Sequence, residues 1–197
     1  KSVEAPELVG EIIISDGGST DSTCEAAERL GATVIGGLPG RGTQLVTGAA
    51  QATQPWLLFL HADTQMDSDW HTEVQAFISL KKDKAAVFKF ALNDATSSAR
   101  RVEKFVAWRC KWFDLPYGDQ GLLISRRFYN QIGGFKNLPL FEDVEFVRRI
   151  GRDKIHYFTT PAHTSATRYQ KNGYLLRPLR NFFCLSLYFA GCSPKFI

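Results

Sequence analysis

No stretch of the 197-residue sequence approaches the ~20 apolar residues that a bilayer-spanning helix requires, and the charge-free run Phe182 to Ala190 falls far short. The first ten residues, KSVEAPELVG, carry Lys, two Glu and Pro and lack the apolar core of a secretory signal. The four cysteines, Cys24, Cys110, Cys184 and Cys192, lie far apart, with no CxxC or metal-type spacing. That pattern excludes a disulfide scaffold and predicts buried free thiols in a reducing compartment. No basic run argues for nucleic acid: the net charge is +4, and pairs such as Arg100-Arg101 and Arg148-Arg149 sit beside helical patterns as solvated faces. A P-loop ending, a GxGxxG fingerprint and a Cys-His or Ser-His-Asp set are also missing.

What is present is 44% hydrophobic residues, enough for one full core. Strand and helix patterns alternate, as in an α/β sheet covered by helices. Glu11 to Ser15 reads as a strand, followed by the turn Asp16-Gly17-Gly18-Ser19-Thr20-Asp21 and a helix over 21–30, with Ser22 and Glu25 as a capping box. A short strand over 32–35 leads to the glycine-rich loop GGLPGRG and a helix over 43–52. Trp56 to Leu60 forms an apolar run that predicts a strand buried on both faces. Trp70, Val74, Phe77 and Ile78 mark a helix capped by Asp67 or Ser68, and 85–92 a further strand. Val102, Phe105, Val106, Arg109 and Phe113 fall on one side of a helix over 98–113, whose aromatic stripe reads as core. Strand 122–125 and helices 126–132 and 141–150 follow. His163 to Tyr169 reads as strand or loop, with His163 either structural or a metal ligand.

Three places concentrate polar chemistry. His61, Asp63 and Thr64 follow the WLLFL run, at the end of a strand where α/β sheets bind ligands; a polar turn would use the same letters. Gly118, Asp119 and Gln120 precede strand 122–125, where the glycines admit close approach of a ligand or build a structural turn. Glu142 and Asp143 open a helix whose dipole favours carboxylates there, either as stabilisers or as an ionised base.

The ordered set EIIISDGGSTDST, PGRGTQL, LLFLHADT, YGDQGLLISRR and GGFKNLPLFEDVEFVRRI resembles the family 2 glycosyltransferases of the GT-A type, in particular a bacterial subgroup with HAD, GDQG and ED motifs. The resemblance runs from Glu11 to about Pro194. It implies a GT-A fold: an α/β domain with a mostly parallel central sheet and helices on both faces, over residues 1–170, with an apolar helical segment over 171–197. Family members begin with a further strand, so the resemblance implies that the amino-terminal strand is absent here. By the same resemblance Asp16 and Gly17 meet the nucleobase, Arg41 holds the nucleotide, and His61 is a ribose contact or a metal ligand. Asp63 becomes the metal ligand, Gly118, Asp119 and Gln120 line the sugar and acceptor side, Asp143 is the catalytic base and Glu142 its neighbour.

The implied partners are a nucleoside diphosphate sugar, an acceptor that is lipid-linked or a saccharide, and Mg²⁺ or Mn²⁺, hard cations suited to an aspartate oxygen. The implied activity is a metal-assisted, inverting transfer to an acceptor hydroxyl. Two other classes fit part of the pattern. A sugar-nucleotide pyrophosphorylase shares a glycine-rich signature, and a non-catalytic carbohydrate-binding scaffold would bury Asp63 and Asp143 in ion pairs without a cleft. The segment Leu175 to Ala190, with Arg177 and Arg180 at its start, packs on the domain or lies at the inner face of a membrane. The location expected is cytoplasmic, with a peripheral membrane contact.

Overall fold

The computed structural model describes residues 7–81, 83–194 and 196. Among the described residues seven strands form two sheets. β1 (Ile13–Asp16) pairs in parallel with β2 (Thr33–Gly36). The larger sheet contains β3 (Trp56–Phe59), β4 (Thr64–Met66), β5 (Ala85–Leu92), β6 (Leu122–Ser125) and β7 (Ile155–Thr164), in the order β3-β6-β5-β7-β4. β3, β5 and β7 run one way, while β6 and β4 run the other.

The reversal of β6 has a consequence for position. Phe59, the last residue of β3, lies opposite Leu122, the first of β6, so the turn entering β6 stands beside the chain leaving β3. β5 is buried on both faces except at Lys89, and β6 is buried throughout, its apolar residues Leu122 to Ile124 followed by Ser125. Ala85, Val87, Leu122 and Ile124 pack with Phe128, Tyr129, Phe135 and Phe146. The alternate residues Ala86, Phe88 and Leu123 pack on the opposite side with Trp70, Val74 and Phe77.

The helices are α1 (Thr23–Arg29), α2 (Arg41–Gln51), α3 (Trp70–Leu80), α4 (Ser97–Phe113), α5 (Arg126–Gln131), α6 (Glu142–Ile150), α7 (Thr167–Asn172) and α8 (Leu176–Phe189). Among the described residues no helix is long and apolar enough to cross a membrane.

Several sequence expectations need correction. The Ser22 side chain makes no cap hydrogen bond; Asp21 Oδ1 accepts instead from Thr23 N at 3.1 Å. α2 begins at Arg41, which puts that side chain on the first turn of a helix rather than in a loop. α3 is entered through Asp69, not Asp67 or Ser68. β3 is an edge strand in which only Leu57 is fully buried. On α4, Val102, Val106 and Arg109 are buried, but Phe105 and Phe113 are 38% and 54% exposed, so its aromatics are not core. The region read as strand or loop divides, with β7 ending at Thr164 and α7 beginning at Thr167.

β7 makes an irregular passage along β5. Val87 pairs with Tyr157 but Lys89 with Pro161, which leaves extra residues on β7 whose amides leave the ladder. Such amides need other partners. Glu73 of α3 supplies them, accepting from the amides and hydroxyls of both Thr159 and Thr160 at 2.6–3.2 Å. Partial burial disfavours its ionisation, yet the bonds from Thr160 and Thr159 prevail and bring its pKa down to about 2 from 4.5. A folded pKa below the unfolded one gives stability that is complete above about 4.5 and is lost as pH falls toward 2. Glu73→Gln should therefore lower the melting temperature at pH 7, with the gap to the parent protein closing across that window in pH-dependent thermal scans.

Candidate active site

His61 leaves the end of β3, the turn Gly118–Gln120 enters the reversed β6, Arg41 opens α2, and Glu142 and Asp143 open α6. The sheet order brings these ends together. Arg41 Nη2 donates to His61 Nε2 at 2.9 Å. Because a guanidinium only donates, His61 accepts at Nε2 and carries its proton on Nδ1. Burial, then the charge of Arg41, lowers the His61 pKa against the pull of Asp63 and Asp143, which favours the neutral ring. Arg41 Nε also lies 3.1 Å from Glu142 Oε1.

Glu142 is fully buried. Burial, then the adjacent Asp143 charge, raises its pKa while Arg41 opposes the shift. Asp143 turns the other way, into the open cleft, since successive helical residues point about 100° apart. Its two oxygens accept from Gly118 N and Val144 N, each at 2.8 Å. Phe141, just before them, holds a left-handed backbone at φ 63° and packs on Tyr188 of α8, 5.0 Å between ring centroids. Residue 118 has no room for a side chain: a Cβ there would lie 2.8 Å from His61 Nε2 and 3.5 Å from Asp143 Oδ2.

A cavity of about 520 Å³ is lined by Arg41, His61, Asp63, Asp119 and Asp143, together with Arg109 and Arg168. Asp119 Oδ1 is shut off from solvent with no hydrogen-bond partner. Burial pushes the Asp119 pKa up to about 6, with Arg109 opposing. Gln120 is a correction to the sequence reading. Its amide is spent in the core, Nε2 donating to Phe88 O at 3.0 Å and Oε1 accepting from Cys110 Sγ at 3.2 Å, so it shapes the turn and does not line the cleft.

Glu142 likewise anchors Arg41 rather than facing the cleft. Asp16 and Gly17 do not line it either. The Asp16 carboxylate accepts from Gly18 N, Ser19 N and Ser19 Oγ, and the Ser19 bonds lead in lowering its pKa. His163 Nε2 lies 3.1 Å from Asp67 Oδ1, away from His61 and Asp63 in its pairing.

Sequence reasoning missed Arg109 and Arg168. A cation amid the buried positions of α4 was the available signal for the first; nothing local marked the second. Among the described residues no three His, Cys, Asp or Glu side chains form a self-contained metal cage. Asp63 is nevertheless an exposed carboxylate facing the cleft, which suits a hard cation that takes its remaining oxygens from a diphosphate and water.

The fold is that of the GT-A glycosyltransferases. The model of glycosyl transferase family 2 matches residues 3–164, and the chain belongs to that family. Among solved structures, it resembles GalNAc-T7 with UDP, GalNAc and Mn²⁺ (14% identity, TM-score 0.61, covering 82% of this chain and 38% of that one). It also resembles S. aureus TarS (15%, 0.62, 83% and 32%). A third likeness is to glucosyl-3-phosphoglycerate synthase from Mycobacterium tuberculosis with Mn²⁺ and UDP-glucose (16%, 0.59, 94% and 70%). At these identities the likeness is one of fold. The chain spans about a third of the length of the first two. No curated protein matches it in sequence.

Gly118→Ala should leave the fold intact, with a melting temperature within a few degrees of the parent. Its Cβ would push His61 off Arg41, so an NMR titration should show the His61 pKa moving back toward 6.5. An unmoved His61 pKa would show that the close approach is not what holds the ring.

Proposed function

We propose that residues 1–170 form the catalytic domain of an inverting glycosyltransferase of the subgroup with HAD, GDQG and ED motifs, moving a hexosyl group from a nucleoside diphosphate sugar to an acceptor hydroxyl. The observation that carries this reading is Asp143: an aspartate held by two amides at 2.8 Å, open to a cleft that Asp63, His61 and Arg41 also border. Two amide donors fix the carboxylate's direction, so that it stands as a positioned proton acceptor at the cleft, as a general base requires. The acceptor hydroxyl gives its proton to Asp143 as its oxygen bonds the anomeric carbon. The bond from that carbon to the diphosphate breaks, and the electron pair leaves with the nucleoside diphosphate. A single displacement of this kind inverts the configuration.

Asp63 would hold Mg²⁺ or Mn²⁺ with the diphosphate; when bound, the cation neutralises charge growing on the leaving group. Arg41, anchored by the buried Glu142, presents its guanidinium to the phosphates, and neutral His61 serves ribose or metal once its bond to Arg41 is exchanged. Asp16 and Gly17 stand at the end of β1 to meet the base. The cleft beside Asp63 and Asp143 also weighs against a non-catalytic scaffold.

We place the protein on the cytoplasmic side, with residues 171–197 as a peripheral membrane contact. The support is the outward apolar side of α8, where Leu179 and Phe183 are 54% and 62% exposed. Leu179→Asp with Phe183→Asp should abolish flotation with anionic vesicles, and unchanged flotation would refute the contact.

Asp143→Asn keeps the shape and loses the basicity. Turnover should fall about 10² to 10⁴-fold with nucleotide-sugar affinity nearly unchanged, the usual worth of general base catalysis. Near-normal turnover would remove Asp143 from the mechanism. Asp63→Ala should abolish the Mn²⁺-dependent part of nucleoside diphosphate binding in calorimetry, and an unchanged metal dependence would overturn that assignment.

A further inference from the structure

The cleft does not stop at the polar residues. Beyond Asp143 and Asp119 it continues as a trough between α4 and α8, and its volume of about 520 Å³ lies in the range of sites that enclose small molecules. Phe105, Trp108 and Phe113 form one wall; Phe182, Leu185 and Phe189 form the other. All but Leu185 are between 38% and 56% exposed. Aromatic rings facing one another across a concave gap, and not packed on the core, are a surface that apolar matter would cover favourably.

Two residues that line this cavity, Arg109 and Asp119, each carry an unmet polar atom just beneath its surface. Arg109 Nη2 and Asp119 Oδ1 are both buried without a hydrogen-bond partner. Arg109 is otherwise fixed, its Nε donating to Leu115 O at 2.9 Å and its guanidinium stacked 3.5 Å from the centre of the Tyr117 ring. A bare donor and a bare acceptor are costly unless a ligand completes them. A molecule that satisfies them and also covers the rings has a hydroxyl-bearing polar head and an apolar body.

We propose that the acceptor is an amphiphile, its apolar chain lying in the trough between α4 and α8 and its hydroxyl-bearing head set among Arg109, Asp119 and Asp143. The amphiphile's part as acceptor rests on the sugar-transfer reading; its binding rests on the trough. In the reaction the head hydroxyl is the one that loses its proton to Asp143 and bonds the anomeric carbon, so the chain anchors the nucleophile without entering the chemistry. A second copy of this chain would be the rival occupant, but a concave trough that opens into the polar cleft suits a slender chain better than a helical face.

The test is calorimetric titration of the whole chain with n-alkyl β-glucosides, methyl through octyl, each below its micelle concentration, with UDP and Mn²⁺ titrated in parallel. Affinity for the glucosides should tighten about fourfold per added methylene, the worth of burying one. Ser186→Trp and Asn181→Trp, which plug the trough from α8, should abolish that dependence while UDP binding stays. Leu80→Ser, exposed and outside the trough, should retain it. Affinity independent of chain length in the parent protein overturns the proposal, whatever the folding of the variants. So does a dimer in sedimentation velocity that octyl glucoside fails to dissociate, which would make a second copy the occupant. A chain-length dependence without any UDP binding would keep the trough as an amphiphile site and discard the glycosyltransferase reading.

Discussion

Arg41 stands between a carboxylate with no access to water and an imidazole whose facing nitrogen, Nε2, bears no proton. Glu142 is fully buried, and among the described residues its charged partner is the guanidinium 3.1 Å away. A buried carboxylate with its partner removed is destabilising by roughly 3–5 kcal/mol unless it takes up a proton. Arg41 therefore cannot swing away freely, and its Nη2 is fixed on His61 as a result. The order of the mouth of the cleft follows from this one ion pair: α2 is locked to α6 through it, and His61 is locked to α2.

The sheet topology makes that arrangement possible. A strand running parallel to β3 in the place of β6 would carry its entering turn to the opposite end of the sheet, some four residues away. Reversed, β6 sets Gly118 against His61 and lets Thr164, at the end of β7, donate to Asp119 O at 3.1 Å. The site is thus assembled from chain ends that lie far apart in sequence, those of β3, β6 and β7 placed by strand pairing and those of α2 and α6 joined by the Arg41–Glu142 ion pair.

Much of this architecture is legible in the sequence, and the failures have physical causes. The apolar runs of β5 and β6 announce burial on both faces, and 85–92 and 122–125 coincide with the observed strands. The direction of β6 is not legible, because the letters of a buried strand are the same in either orientation. α4 misleads for a related reason: Phe105 and Val106 suit a helix whose apolar side is wide, and spacing alone does not say whether that side meets a core or borders a trough. At the site, Asp119 and Gln120 adjoin in sequence but diverge in space, one to the cleft and one to the core. Glu142 and Asp143 separate in the same manner, and α-helical geometry explains why only one of such neighbours faces the opening. The likeness of the whole motif set, by contrast, identified the family that the match over residues 3–164 establishes.

One contact in this cleft lies outside the reach of ordinary genetics. The donor that orients Asp143 from across the cleft is the main-chain N–H of residue 118. Every substitution except proline preserves it, so an alanine scan or a saturation library registers position 118 as a steric constraint and attributes nothing to the hydrogen bond. The two roles of Gly118, absence of a side chain and presence of an amide, separate only when the backbone itself is edited. Semisynthesis that replaces the peptide bond between Tyr117 and Gly118 by an ester would delete the donor and keep the glycine.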